Sequence, residues 1–151
     1  MEQLIVGKSL EMQLAALLDT LPSDATVSYM VTRLNEGEEA TIVASSKETI
    51  VHTGASMVKT LILEYVFHLA AQEQLDLNDT IALSRSPRVE GAGALMELVG
   101  NHSFSYLELC RLMMVLSDNW ATNLLIQALG MENINARAEQ LGLEHFEINR
   151  M

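Results

Sequence analysis

The sequence predicts an α+β chain, mainly helical, in which an N-terminal helix and a β-hairpin precede an all-α region. Three observations carry that reading. Residues 3–20 repeat apolar side chains at helical spacing, with Leu10, Leu14, Leu17, Leu18 and Leu21 on one side. Residues 25–34 and 39–46 are rich in β-branched side chains, alternate in places with period two, and flank Gly37 as a turn residue. From residue 56 onward the apolar pattern is helical almost to the end.

The elements follow in order. The first helix ends before Pro22, and after the hairpin a long helix spans residues 55–73. LDLNDTIALS reads as an extended or turn segment, and Pro87, Gly91 and Gly93 mark a loop ahead of a short helix. Ser105 and Glu108 stand at capping-box spacing at the head of SYLELCRLMMVL. DNWATNLLIQALG closes on Gly130 as a C-cap, MENINARAEQLG stops at Gly142, and the tail LEHFEINRM carries no strong signal. The division is therefore residues 1–53, helix and hairpin, and residues 54–151, the helical part.

A lone two-stranded hairpin is marginal in water and leaves both of its edges unpaired. Further polypeptide is expected to pair there, either a second copy in a homo-oligomer or a complementary C-terminal chain.

Length and composition narrow the function classes. At 151 residues and 49% hydrophobic the chain can build one sizeable core, with 5% aromatic residues and 9 Met. Its formal charge of -11 is offset by no basic cluster, which argues against nucleic acid as a partner. Cys110 is the single cysteine and reads as a small buried hydrophobe. His52, His68, His102 and His145 lack metal-ligand spacing, so neither a metal nor another cofactor is expected. The N-terminus has Glu2 in place of a basic region and no uninterrupted apolar run, so no signal peptide and no membrane span are expected. The chain as given is expected in the cytoplasm, or outside it if a leader was removed.

The chemistry concentrates in two short motifs. In GASMVKTLILEYVFHLAAQ, Ser56 and Lys59 are three residues apart at the start of an apolar helix, so hydroxyl and amine share a face. Burying a charged lysine is costly unless it is paired or neutralised, and a neutral amine beside a serine can act as its general base. The other reading is an N-capping serine with a solvated lysine, and Ser-x-x-Lys recurs by chance in roughly one chain in five of this composition. The second motif is Ser117-Asp118-Asn119, where one helix ends and the next begins; by itself it also reads as an ordinary helix cap. Trp120 beside it either lines a groove or fills the seam between helices.

Taken together and in this order, Ser56-x-x-Lys59 and Ser117-Asp118-Asn119 are the first two of three elements found in class A β-lactamases and penicillin-binding proteins. The sequence resembles the N-terminal part of a class A β-lactamase-like serine hydrolase over essentially its whole length. LNDTI, GAGAL, MVLSDNWATNLLI and AEQLG share that look. The resemblance implies an incomplete β-lactamase/transpeptidase-like fold and an acyl-enzyme on Ser56, formed from a β-lactam or a related amide or ester. Lys59 would assist proton transfer, Ser117 would pass a proton to the leaving nitrogen, and Asn119 would hold the substrate's side-chain amide. Asp118 would brace the turn through backbone hydrogen bonds. Asn123 matches a position whose amide steadies a glutamate-bearing loop, and the Ser56 backbone N–H would be one of two oxyanion donors.

The departures from the family pattern are equally specific. No Lys-Thr-Gly or Lys-Ser-Gly follows residue 117, and the glutamate-bearing loop would fall just past Met151. Where some members bridge the Cys110 position to the nucleophile helix, the partner position here is Leu63. The expectation is a truncated chain that turns over poorly or not at all, since one oxyanion donor is worth about 10²–10³ in rate and a general base about 10²–10⁴. The rival expectation is a non-catalytic half-domain that self-associates or pairs with a complementary chain. Penicillin-binding carboxypeptidases and serine-dependent glutaminases share the nucleophile motif, the latter fitting the Ser-Asp-Asn block less well.

Overall fold

The computed structural model describes residues 9–37, 39–83 and 91–149, which fall into two compact units, Met1–His52 and Thr53–Met151. It is a mixed α+β fold with an N-terminal helix, short hairpins and a helix-rich C-terminal region.

The first unit holds α1 (Leu10–Leu18), β1 (Tyr29–Arg33) and β2 (Thr41–Ser46). Ser9 caps α1 by accepting the Met12 N–H at 3.3 Å, as a serine in extended conformation can. Residues 3–8 of the expected helix lie outside the described residues. The strands pair antiparallel from Tyr29 opposite Ser46 to Arg33 opposite Thr41, with a bulge between Val31 and Thr32. They are shorter than the apolar pattern suggests, because residues 25–28 have no strand opposite them. Among the described residues of this unit only Ala44 is buried; α1 buries none, and Met30 and Ile42 remain exposed. Ser28 Oγ and His52 Nε2 are hydrogen-bonded at 2.7 Å.

The second unit carries the core. Its elements are a 3-10 turn (Ala55–Met57), α2 (Val58–Ala71), β3 (Thr80–Ala82), a second 3-10 turn (Leu95–Glu97), β4 (Ser103–Ser105), α3 (Tyr106–Val115), α4 (Asn119–Leu129) and α5 (Met131–Gln140). The amphipathic α4 is the central element, burying Trp120, Ala121, Thr122, Leu124, Leu125, Ile126 and Leu129. Ile62 and Val66 of α2, Leu109 and Met113 of α3, Leu95, and Ile134 and Ala138 of α5 pack into the same cluster. Removing such side chains from water at about 25 cal/mol per Å² is what holds four short helices together.

Local signals explain the helix ends. Ser105 and Glu108 form the reciprocal capping box at the head of α3, and Gly130, at φ 84°, ends α4 and begins α5 in one residue. Gly142, at φ 79°, follows the end of α5. The long helix expected from residue 55 starts instead as a 3-10 turn, because Ala55 sits at φ 42°, outside the right-handed helical region.

The region after residue 56 is not wholly helical. Thr80–Ala82 pairs antiparallel with Ser103–Ser105, so LDLNDTIALS does contain an extended stretch, and its partner was hidden in a segment with no strand pattern. The ladder continues through Leu83 N–H to His102 O, Tyr106 N–H to Asp79 O and Leu107 N–H to Leu77 O. This small sheet ties the chain after α2 to the head of α3. The loop expected around Pro87 lies outside the described residues.

Two polar joints complete the unit. Arg137 on α5 donates through Nε (3.0 Å) and Nη2 to the two carboxylate oxygens of Glu64 on α2. Asn135 holds Ile148 at both ends, its Oδ1 accepting the Ile148 N–H at 2.9 Å and its Nδ2 donating to the Ile148 carbonyl at 3.0 Å. Among the described residues no helix is long and apolar enough to cross a membrane, and no group of three or more His, Cys, Asp or Glu is placed to hold a metal.

Candidate active site

The site is built from the start of α2 and the turn between α3 and α4. Ser56 lies in the 3-10 turn and is exposed, while Lys59, three residues on, is 5% exposed. The turn from Leu116 to Asp118 is tight, with the Leu112 carbonyl accepting the N–H groups of both Leu116 and Asp118. Ser117 adopts φ 54°, a left-handed conformation that costs a non-glycine residue on the order of 1 kcal/mol or more. That backbone aims both its carbonyl and its hydroxyl at Lys59.

Lys59 Nζ is the hub. It lies 3.2 Å from Ser56 Oγ, 2.7 Å from Ser117 Oγ, 2.8 Å from Ser117 O and 3.1 Å from Asn119 Oδ1. The two serine hydroxyls are 3.3 Å apart. An ammonium has three protons for four oxygens, so one contact is always left over. A neutral amine, with two protons and a lone pair, can donate to the carbonyl and the amide oxygen and accept from a hydroxyl. Burial pushes the Lys59 amine below its ordinary range, while the Asp118 carboxylate opposes that shift.

Asp118 faces the other way. Fully buried, it accepts the Ala121 N–H at 2.9 Å on Oδ1, as the N-cap of α4, and the N–H groups of Ala94 and Leu95 at 2.6 and 2.9 Å on Oδ2. Its two oxygens thus join α4 to the loop before the second 3-10 turn. That loop lies against the turn through its glycines. A Cβ on Gly93 would stand 2.4 Å from Asp118 Cγ, and one on Gly91 would stand 2.3 Å from Asn119 Nδ2. Between them the Ala92 carbonyl accepts the Asn119 N–H at 2.9 Å.

The structure therefore brings together Ser56, Lys59, Ser117 and Asn119, with Asp118 behind them. Asn123 sits one turn further along α4, partly exposed, and its amide makes no hydrogen bond to another described residue. Trp120, 8% exposed, fills the seam between helices as part of the core. Cys110 is buried and unbridged, with its thiol pushed up to about 11 by burial. The close approach of Gly91 and Gly93 escaped the sequence reading, which took them as loop markers; their spacing of two ahead of a buried Leu95 was the signal available.

A family model described as the beta-lactamase enzyme family matches residues 9–151. The chain belongs to the beta-lactamase enzyme family. It is 31% identical over 97 residues to beta-lactamase BRO-1 of Moraxella catarrhalis, a match spanning 60% of this chain and 31% of that protein. Among solved structures it resembles the acyl-enzyme complex of a PBP-A variant with penicillin G, with a TM-score of 0.77, 26% identity, and coverage of 93% of this chain and 52% of that one. The beta-lactamase of Sphaerobacter thermophilus matches with a TM-score of 0.70 and 26% identity, over 82% of this chain and 44% of that one. The chain spans about a third of the curated relative and about half of the solved structures.

Proposed function

We propose that these residues form the acylating half of a serine hydrolase active site that opens a β-lactam or a related amide or ester. The observation that carries the reading is Lys59 Nζ within hydrogen-bonding distance of both Ser56 Oγ and Ser117 Oγ. In the acylation step the Ser56 oxygen bonds to the substrate carbonyl carbon as its proton passes to Lys59. The carbon–nitrogen bond then breaks, and the leaving nitrogen takes a proton through Ser117, so no charge accumulates on either fragment. The first turn of the helical run at Ser56 presents backbone N–H groups and the positive end of a dipole to the developing oxyanion.

Asn119 completes the contact. Its Oδ1 is committed to Lys59, and its Nδ2 has no acceptor among the described residues, which leaves that donor for the carbonyl of a substrate side-chain amide. Asp118 serves as the brace, and Asn123, whose amide bonds no other described residue, would steady a glutamate-bearing loop. The protein in the PBP-A comparison forms an acyl-enzyme with penicillin G, which makes that compound the natural probe. Hydrolysis of the adduct needs a base for water. Asp118, whose two oxygens accept three backbone N–H groups, is not free to be that base. In this reading residues 1–53 contribute to the α/β part of a β-lactamase/transpeptidase-like fold and residues 54–151 form its helical part.

Intact-mass spectrometry under native conditions tests this. Penicillin G should add its own mass once to the unmodified chain and not to Ser56→Ala; an adduct that survives in Ser56→Ala sinks the proposal. A second reading, association of the first unit with a copy of the chain or a complementary chain, is favoured by its two-stranded sheet with both outer edges unpaired among the described residues. The same spectrum decides it through the subunit count.

A further inference from the structure

The loop at residues 91–95 does more than connect elements, because its two glycines meet two successive residues of the Ser117–Asn119 turn. Gly93 meets the carboxylate of Asp118, and Gly91 meets the carboxamide of Asn119. Asn119 is held at three points. Its oxygen faces Lys59 at 3.1 Å, its backbone N–H is fixed on the Ala92 carbonyl at 2.9 Å, and its Nδ2 fills the place where a side chain at residue 91 would begin. A carboxamide has two orientations that differ only in which end carries the donor. Lysine protons select the oxygen, and the missing Cβ of Gly91 gives the NH2 group room to lie where it does. The backbone at Gly91 has φ 128°, which other residues rarely adopt, so glycine is required twice over.

We propose that Gly91 is a positioning residue that fixes the Asn119 carboxamide, and that it thereby sets a preference for substrates bearing an acyl-amino side chain. The substrate consequence rests on the reading of Asn119 given above. The positional part does not.

The variant to make is Gly91→Ala, with Gly142→Ala as control, since Gly142 has the same class of backbone angle and nothing within 4 Å of its would-be Cβ. The probes are benzylpenicillin, which carries a side-chain amide, and 6-aminopenicillanic acid, which has a free amine there. In Gly91→Ala the ratio of the acylation rates of the two compounds should fall at least tenfold, and in Gly142→Ala it should stay the same. An unchanged ratio in well-folded Gly91→Ala overturns the substrate preference.

Two further readouts act without any adduct. The Asn119 side-chain NH2 resonances should move in Gly91→Ala; resonances that stay in place overturn the positioning role even if acylation is normal. Adding Asn119→Ala to Gly91→Ala should recover part of whatever stability Gly91→Ala loses, because it removes the atoms in conflict while the backbone strain at φ 128° stays. A double variant no more stable than Gly91→Ala alone overturns the inference. A chain that takes up neither compound while its Asn119 resonances respond to Gly91→Ala refutes the hydrolase reading and leaves the positioning role supported.

Discussion

Lys59 holds Ser117 twice, its Nζ lying 2.8 Å from the carbonyl oxygen and 2.7 Å from the hydroxyl of the same residue. The carbonyl contact anchors the amine to the backbone of the turn, and the hydroxyl contact is the one available for proton exchange. Holding both at once requires the left-handed backbone at Ser117. The strain at that residue is thus tied to the placement of the lysine.

The first prediction concerns protonation of Lys59. Burial lowers its pKa from the ordinary value, so the neutral amine becomes populated at a lower pH than in a free lysine. The Ser56 acylation rate should rise with pH to a plateau, with a midpoint below about 10.4, the ordinary lysine value. Lys59→Arg, which does not deprotonate, should lose the rising limb and about 10²-fold or more in rate. Stopped-flow measurement of penicillin acylation across pH reads both effects, and an unchanged rising limb in Lys59→Arg would remove the lysine from the mechanism.

Asp118 should matter more for stability than for chemistry. Asp118→Ala leaves the N–H groups of Ala94, Leu95 and Ala121 without their acceptor, at a cost of about 3 kcal/mol or more. Urea unfolding followed by tryptophan fluorescence should show a lower midpoint with little change in slope. A loss below about 1 kcal/mol would mean that water replaces the carboxylate easily.

Cys110 should be chemically silent. With its pKa pushed up to about 11, the thiol stays protonated at neutral pH, and its burial blocks access. A thiol reagent at pH 8 should label it only in denaturant. The sign for stability follows: because the folded pKa is raised, the contribution is complete below about 8.5, the unfolded value, and is lost as pH climbs towards 11. Cys110→Ala should flatten that alkaline decline.

Asn135 is expected to hold the end of the described chain in place. Its amide matches a peptide group in shape and polarity, so Asn135→Asp keeps an acceptor for the Ile148 N–H and loses the donor to its carbonyl. Hydrogen exchange at the Ile148 amide should accelerate strongly in Asn135→Ala and less in Asn135→Asp. Equal protection in all three proteins would show that burial of Ile148 suffices.

Local signals in the sequence located much of this structure. Ser105 with Glu108, Gly130 and Gly142 each act within four residues, and all appear at the helix ends where such signals belong. The cluster around Lys59 was legible for a similar reason, since Ser56 and Lys59 lie three residues apart and Ser117–Asn119 is contiguous. What stayed hidden depends on distant partners. Thr80–Ala82 and Ser103–Ser105 are three-residue strands, too short for alternation to register. Asn135 acquires its meaning only from Ile148, thirteen positions away, and Gly91 only from Asn119.

The sequence distance spanned by the Ser56 to Ser117 contact, 61 residues, bears on the order of folding. Helices α3 and α4 are adjacent in the chain and can meet early, whereas α2 must return across a loop whose closure costs roughly 3–4 kcal/mol in chain entropy. In early collapsed states Ser56 is an ordinary alcohol, remote from Lys59's partners in the turn. Whatever nucleophilicity the lysine confers is acquired only when α2 docks. A refolding chain exposed to an acylating probe at successive delays would then time the arrival of that helix, and its curve should lag behind the gain of helical circular dichroism.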